Sequence, residues 1–332
     1  MIVVTGGTGF VGREICRRLA AEGLAVRALA RTPPKLPLGP GIEFFPGDVT
    51  RADSLRLAFR GAKAVIHTVV IIREHGTQTF ERVHVRGTAH VLAAAQAASV
   101  TRYLHISALG TRPGAASRYH QTKWTAEEMV RSSGLAQTIF RPSLIYGRGD
   151  AFTNSLASMM RPPLSWLSGG LVPIPGGEDV ILQPLSVDEV AESVVRSLGQ
   201  TAAVGQAFDL CGQAVSLRDL ALTIAQTMGP FPTWVEQPPD VILGMIPWLW
   251  LKASKPVLFP VPLKLCRIAA AILERVLSNP PITTDQITML EEGQCGNASV
   301  AESILGCHPL PLREGLATYL APQAGGREDR QA

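Results

Sequence analysis

The amino-acid sequence predicts an α/β fold, a doubly wound parallel sheet carrying a smaller, mostly helical carboxy-terminal lobe. Three observations carry this expectation. Short apolar runs alternate with 12–18-residue segments of helical period over the first ~145 residues, the pattern of strand–helix–strand units. A glycine-rich turn, TGGTGFVG at 5–12, joins the first apolar run to the first helical segment. Past Gly147 the alternation breaks into loops rich in proline and glycine (RPPLSWLSGG, VPIPGGED).

Each element follows from its own pattern. Residues 2–5 (IVVT) form an apolar run that stops at glycines, which reads as a strand. From Phe10 to Glu22, Val11, Ile15, Cys16, Leu19 and Ala20 share one helical stripe, and Gly23 suits a C-cap. Ala25–Ala30 is the second strand, followed by the loop TPPKLPLGP. Ile42–Phe45 and Ala64–Val70 read as further buried strands, Phe80–Ala98 as a helix, and Arg102–Ile106 as the fifth strand. A helix from about Ser117 to Ser132 leads to the strand Gln137–Arg141. Leu185–Leu198, mainly helical, and the strand Ala207–Leu210 return to the sheet. The expected division is a nucleotide-binding domain over 1–212 with loop excursions at 147–182, a small lobe over 213–320, and a loose tail at 321–332.

Composition narrows the function. With 46% apolar and 17% charged residues among 332, disorder is excluded as the main state. The net charge of +4 comes without a basic stripe, which argues against a nucleic-acid partner. Cys16, Cys211, Cys266, Cys295 and Cys307 are odd in number and form neither a CxxC pair nor a Cys/His ligand spacing. Reduced thiols in a cytoplasmic protein are the expected reading. Opening directly on a strand, the chain is expected to lack a targeting segment. His84 and His90 lie six apart, and His105, His120 and His308 are scattered, so no metal is expected.

The chemistry concentrates in two places. In Thr5-Gly6-Gly7-Thr8-Gly9-Phe10-Val11-Gly12, glycines allow a tight turn and close approach of a pyrophosphate, whose charge the N–H groups at the helix start would hold. The end of the second strand should read the adenosine ribose. It carries Arg31-Thr32 and no acid, which favours NADP(H), with NAD(H) as the alternative. Asp48 after the third strand is placed either to accept from an adenine amino group or to cap the next helix. The second place is YHQTK. Tyr119 and Lys123 lie one turn apart on one helix face, where an ammonium would favour the phenolate and make the tyrosine an acid/base. Ser107 ends the fifth strand as a partner donor.

Taken together, TGGTGFVG, the GD at 47–48, HISALG at 105–110, YHQTK and FRPSLIYGRGD at 140–150 resemble the atypical extended short-chain dehydrogenase/reductases, a Rossmann-type superfamily. IIRE (71–74), FERVHVRGT (80–88), QPLSVDEV (183–190) and PPITTDQITMLEE (280–292) resemble, more narrowly, the Rossmann-type accessory subunit of respiratory complex I and its bacterial relatives. The resemblance runs from Met1 to about Leu320. It implies a bound NADP(H) or NAD(H) held by Gly6, Gly9 and Gly12, with Arg31 and Thr32 on the phosphate and Asp48 and Val49 near the adenine. Thr68, Val69, Val70, Lys123 and Pro142 would line the nicotinamide half. Tyr119, Lys123 and Ser107 would be the catalytic set.

The pattern of active relatives is broken at three points. They often carry two successive Ser/Thr where this chain has Ser107-Ala108, and successive strand side chains point oppositely. They keep small residues after the fourth strand, where this chain has Thr68-Val69-Val70. Many place an asparagine where this chain has His84.

Val241–Leu277 holds Trp248 and Trp250 beside Lys252, Lys255, Lys264 and Arg267. Its longest charge-free run, Val241–Leu251, is eleven residues against the ~20 a bilayer span needs. A lid or small-lobe core is the expected role, with a headgroup interface as the alternative. The leading function is an oxidoreductase on a carbonyl or alcohol of an apolar, quinone-like substrate. The alternatives are a non-catalytic subunit holding NADP(H) structurally, as the complex I resemblance implies, and an NADPH redox sensor. Peripheral association with the inner face of a membrane, or with a respiratory complex, accompanies those alternatives.

Overall fold

A computed structural model describes residues 1–34, 37–161, 164–168, 170–229, 256–278, 280–293 and 295–321. β1 (Ile2–Thr5) leads through α1 (Phe10–Ala21) to β2 (Val26–Ala30), β3 (Ile42–Pro46) and β4 (Ala64–His67). α2 (Gly87–Ala97), β5 (Arg102–Ile106), α3 (Arg118–Arg131) and β6 (Ala136–Pro142) follow. The chain then makes β7 (Ile145–Tyr146), α4 (Phe152–Met159), α5 (Leu164–Leu167), β8 (Leu171–Pro175), β9 (Ile181–Leu182), β10 (Leu185–Ser186) and α6 (Val187–Ser197). It re-enters the sheet as β11 (Ala207–Leu210). Beyond it come β12 (Val215–Ser216), α7 (Leu217–Thr227), β13 (Val257–Val261), α8 (Leu263–Val276), α9 (Thr284–Glu291), α10 (Ser299–Leu305) and α11 (Leu312–Leu320).

The sheet is seven-stranded, in the order β11-β6-β5-β4-β1-β2-β3, and every pairing in it is parallel. The chain winds outward from β1 to β3, then resumes on the other side at β4. The crevice beyond the carboxy ends of β1 and β4 is therefore the switch point where such sheets bind ligands. Alternation along the strands builds two cores. Ile2 and Val4, Ala64 and Ile66, and Leu104 and Ile106 face α1 and α6. Val3, Val65 and Tyr103 face Val91, Leu92 and Val130 of α2 and α3. A third core joins Tyr146, Leu156, Val172 and Leu182 to Leu217, Ile224 and Leu316. Ala301 and Leu305 of α10 pack into the first core instead.

Two elements differ from the sequence pattern. The strand expected over Ala64–Val70 ends at His67, where Thr68 ties its N–H and its hydroxyl to the Thr5 carbonyl (3.1 and 2.7 Å) and the chain leaves the ladder. The helix expected over Phe80–Ala98 begins as a π-helical turn, Glu81–Arg86, before α2. Wide turns of this kind are common at functional sites. Of the Trp- and Lys-bearing stretch, residues 241–255 lie outside the described residues. Its remainder forms β13 and α8, where Leu265, Ile268, Ile272 and Val276 share one face and are each more than half exposed. Residues 322–332 of the tail also lie outside.

Candidate functional site

The glycine turn sits at the switch point. Gly6 has φ +76°, a left-handed conformation, and a Cβ there would fall 2.7 Å from Thr68 Oγ1. A Cβ on Gly12 would fall 2.2 Å from the Gly6 carbonyl oxygen, so only glycine lets the helix start so near the turn. α1 begins at Gly9 with no side-chain cap and no acid in its first turn. Its leading N–H groups and the positive end of its dipole are therefore open to an anion, the requirement for holding a pyrophosphate. Thr5, Gly7, Thr8, Phe10 and Val11 complete the turn, with Thr68 and Val69 against Gly6. A residue the sequence reading passed over, Arg13, reaches back to within 3.4 Å of the Thr8 carbonyl. Its place directly after the third glycine is the signal that would have marked it.

Arg31 and Thr32 follow β2 directly and are exposed. Arg31 makes no hydrogen bond or ion pair among the described residues, which leaves its guanidinium available to a phosphate. Asp48 does not cap the turn that follows, Ala52–Ser54, which starts at Arg51 without a side-chain cap; its carboxylate closes a local turn instead. Asp48 Oδ1 accepts from Thr50 N and Thr50 Oγ1, both at 2.8 Å. Among the described residues, its other carboxylate oxygen takes no such bond. Val49 is buried, and its carbonyl accepts from His90 Nδ1 at 2.8 Å. Val70 is exposed beyond β4. Pro142 closes β6, and its carbonyl accepts from Leu109 N at 2.9 Å, tying the loop after β5 to the sheet.

Ser117 caps α3, which carries Tyr119 and Lys123, both buried. Lys123 Nζ donates to the Ile106 carbonyl at 2.7 Å. Burial pushes Lys123 down to about 8 against a smaller opposing pull from Glu127. The lysine was expected to draw the phenol below its ordinary value. Instead burial pushes Tyr119 up, and Lys123 spends its bond on the backbone. In this state Tyr119 is a neutral phenol, fit to give a proton rather than to take one.

His84 meets Tyr119 edge-on, with ring centroids 5.4 Å apart, and stacks on Phe80. Thr122 Oγ1 commits its proton to the carbonyls of Arg118 or Tyr119 (3.0 and 2.9 Å). It also lies 3.0 Å from His84 Nδ1. On the other side of the ring, Nε2 lies 3.2 Å from Ile71 N, from which it can accept, and 3.1 Å from the Ile71 carbonyl, to which it can donate, so the ring is held at both nitrogens. Burial, then the Lys123 charge, hold the imidazole down at about 2, so it stays neutral. The π turn thereby ties the loop after β4 to the Tyr/Lys helix.

Ser107 is buried at the end of β5. Its hydroxyl lies 3.5 Å from Thr111 Oγ1 and contributes to holding Glu127 ionised. Burial would raise Glu127, but Arg141, Ser107 and Arg131 together bring it below the usual carboxylate range. Ala108, half-buried next to it, has no hydroxyl to offer. Among the described residues, no three His, Cys, Asp or Glu side chains converge as metal ligands.

Comparison with known proteins agrees with this geometry. Residues 6–154 match the NAD(P)H-binding family. The chain is 34% identical over 158 residues to a ceramide reductase of Caulobacter vibrioides, covering 47% of this chain and 50% of that one. It is 28% identical over 274 residues to NADH dehydrogenase [ubiquinone] 1 alpha subcomplex subunit 9 of Arabidopsis thaliana, covering 78% and 65%. The chain thus spans about half to two thirds of the length of these relatives. Its fold is that of an NADPH-dependent quinone oxidoreductase of Escherichia coli complexed with NADPH, with TM-score 0.69, 17% identity, and 96% and 99% of the two chains covered.

Proposed function

We infer that this chain, a member of the atypical extended short-chain dehydrogenase/reductase superfamily, is an NADP(H)-dependent reductase of a carbonyl on an apolar, lipid-like molecule. The observation that carries the reading is the buried Tyr119–Lys123 pair, on a helix whose lysine reaches the end of β5 beside the switch point. When bound, a dihydronicotinamide supplies the hydride. The chain's own part is to orient and to protonate. Tyr119, kept neutral by burial, gives its phenolic proton to the oxygen of the acceptor carbonyl. Lys123, close to its own titration point at neutral pH, would stabilise the phenolate left behind and would hold the nicotinamide ribose when the nucleotide is bound. His84, neutral and fixed at both nitrogens, keeps the π turn and α3 in register.

Arg31, without a partner among the described residues, supports NADP(H) over NAD(H). The ceramide reductase relative supports an apolar substrate. The exposed face of α8, with Lys264 and Arg275 beside it, supports a peripheral place at a membrane surface where such a substrate resides. No described helix is long and apolar enough to cross a membrane. Titration with NADPH and NADH, followed by NADPH oxidation with a panel of long-chain ketones and quinones, tests the reading. Tight NADPH binding with oxidation by at least one long-chain acceptor is the expected result.

A second reading has its own observation. Ser107 turns its hydroxyl toward Thr111 and Ala108 brings none, which leaves the substrate oxygen without the second donor that active relatives often carry. A subunit that holds NADP(H) as a structural element would tolerate this. Tight nucleotide binding with no turnover by any acceptor is the result that favours it.

A further inference from the structure

We propose that residues 280–292, with Ser278, form a latch that positions the helix bearing Tyr119 and Lys123, with Asp285 and Glu292 as positioning residues. A helix start leaves backbone N–H groups without partners, and α3 covers only part of that need with Ser117, which accepts from His120 N. Two carboxylates from the far end of the chain take up the rest. Asp285 Oδ1 accepts from Arg118 N at 2.8 Å, and its Oδ2 accepts from the N–H of Tyr119 itself at 3.2 Å. Glu292 accepts from the N–H groups of Ala116 and Ser117 and lies 2.9 Å from His120 Nδ1. Its side chain is only 5% exposed. Against the pull of burial, the bonds from His120, Ser117 and Ala116 bring it down to about 2, so it is ionised at any ordinary pH. Asp285 lies in the first turn of α9 and Glu292 follows its last residue, seven positions on, which is two turns and hence one face.

The latch is held on its other side by the loop after β4. Arg73 donates to the Pro280 carbonyl at 2.7 Å, and His75 Nδ1 to the Ser278 carbonyl at 2.9 Å. Glu74 receives Arg118 at 2.8 Å and the Phe80 N–H at 2.8 Å. Two short motifs some 200 residues apart, IIRE at 71–74 and PPITTDQITMLEE at 280–292, thus meet around the first turn of α3. Neither is needed to bind a dinucleotide. Packing alone would call for apolar contacts, whereas carboxylates aimed at backbone N–H groups fix a helix along its axis and in rotation. The proposal draws on the reading of Tyr119 and Lys123 as an acid/base pair only for its consequence on turnover.

Amide hydrogen exchange on the full chain tests it. Asp285→Ala is expected to speed exchange in peptides covering residues 116–120 by about tenfold, the usual worth of a lost cap. Asp285→Asn, which keeps an acceptor oxygen and folds more safely, should give a smaller change at the same peptides. Asp219→Ala, which removes an acid from the first turn of α7, is the control and should leave 116–120 unchanged. Unchanged exchange in both Asp285 variants overturns the latch, as does equal acceleration by the control. If the wild-type chain turns over a ketone, Asp285→Asn should lower kcat with the KM for NADPH unchanged. Faster exchange at 116–120 in a chain that reduces nothing would leave the latch standing and remove the reductase reading.

Discussion

Lys123 donates its ammonium to the Ile106 carbonyl at 2.7 Å, spending its bond on the end of β5 and not on the phenol one turn away. The lysine thus sits in a buried site that disfavours its charge, the condition of a group kept for function rather than stability.

Thermal stability should report that condition. Burial holds Lys123 at about 8 in the folded chain, whereas in the unfolded chain it titrates near its ordinary value. Between about pH 8 and 10 the unfolded state keeps a proton that the folded state has released, so stability rises with pH in that window. Below pH 8 both states are protonated and the penalty, on the order of 3 kcal/mol, is constant. Lys123→Met removes it at the cost of an unmet Ile106 carbonyl, about 1–3 kcal/mol. The variant should melt no lower than the wild-type chain at pH 7, lose the rise between pH 8 and 10, and bind NADPH more weakly. Melting curves of the two proteins from pH 6 to 10 check this.

Gly12→Ala places a Cβ 2.2 Å from the Gly6 carbonyl oxygen. The turn must open, at a cost of about 1–3 kcal/mol, and the N–H groups at the start of α1 lose their aim. NADPH affinity by calorimetry should fall more than about tenfold, with a lower melting temperature.

Arg31→Ala removes a charge that has no partner among the described residues. NADPH affinity should drop about ten- to a hundredfold, the worth of one charge-assisted hydrogen bond, while NADH affinity stays within about twofold. Equal loss for both nucleotides would mean that Arg31 does not read the extra phosphate.

Ile268 and Ile272 are both more than half exposed on α8. The wild-type chain is expected to co-sediment with vesicles containing phosphatidylglycerol. Ile268→Asp with Ile272→Asp should weaken this by at least about tenfold, since each buried side chain is worth about 1.5–3 kcal/mol. The melting temperature should hardly change.

Much of this was legible in the chain itself, for physical reasons. A strand buried on both faces reads as an apolar run, so IVVT stands out, and the glycine turn lies where a phosphate cradle must lie. The π turn at Glu81–Arg86 was hidden because one extra residue per turn barely disturbs a 3.6-residue period. The fate of the Tyr119 phenol was hidden because the YHQTK spacing gives proximity while burial decides the charge. The motif that holds Asp285 and Glu292, PPITTDQITMLEE, was visible, but the contacts of its two acids were not. Each looks like an ordinary acid on an amphipathic helix, and its partners lie more than 160 residues away.

The comparison of wild type with Tyr119→Phe, measuring NADPH affinity and ketone-dependent NADPH oxidation on the same preparations, decides the matter. Loss of one phenolic oxygen should cost about a hundredfold or more in kcat and leave NADPH affinity within about twofold. Oxidation that survives in Tyr119→Phe at the wild-type rate would contradict the assignment of the proton donor, and failure of the wild-type chain to bind NADPH would contradict the site as a whole.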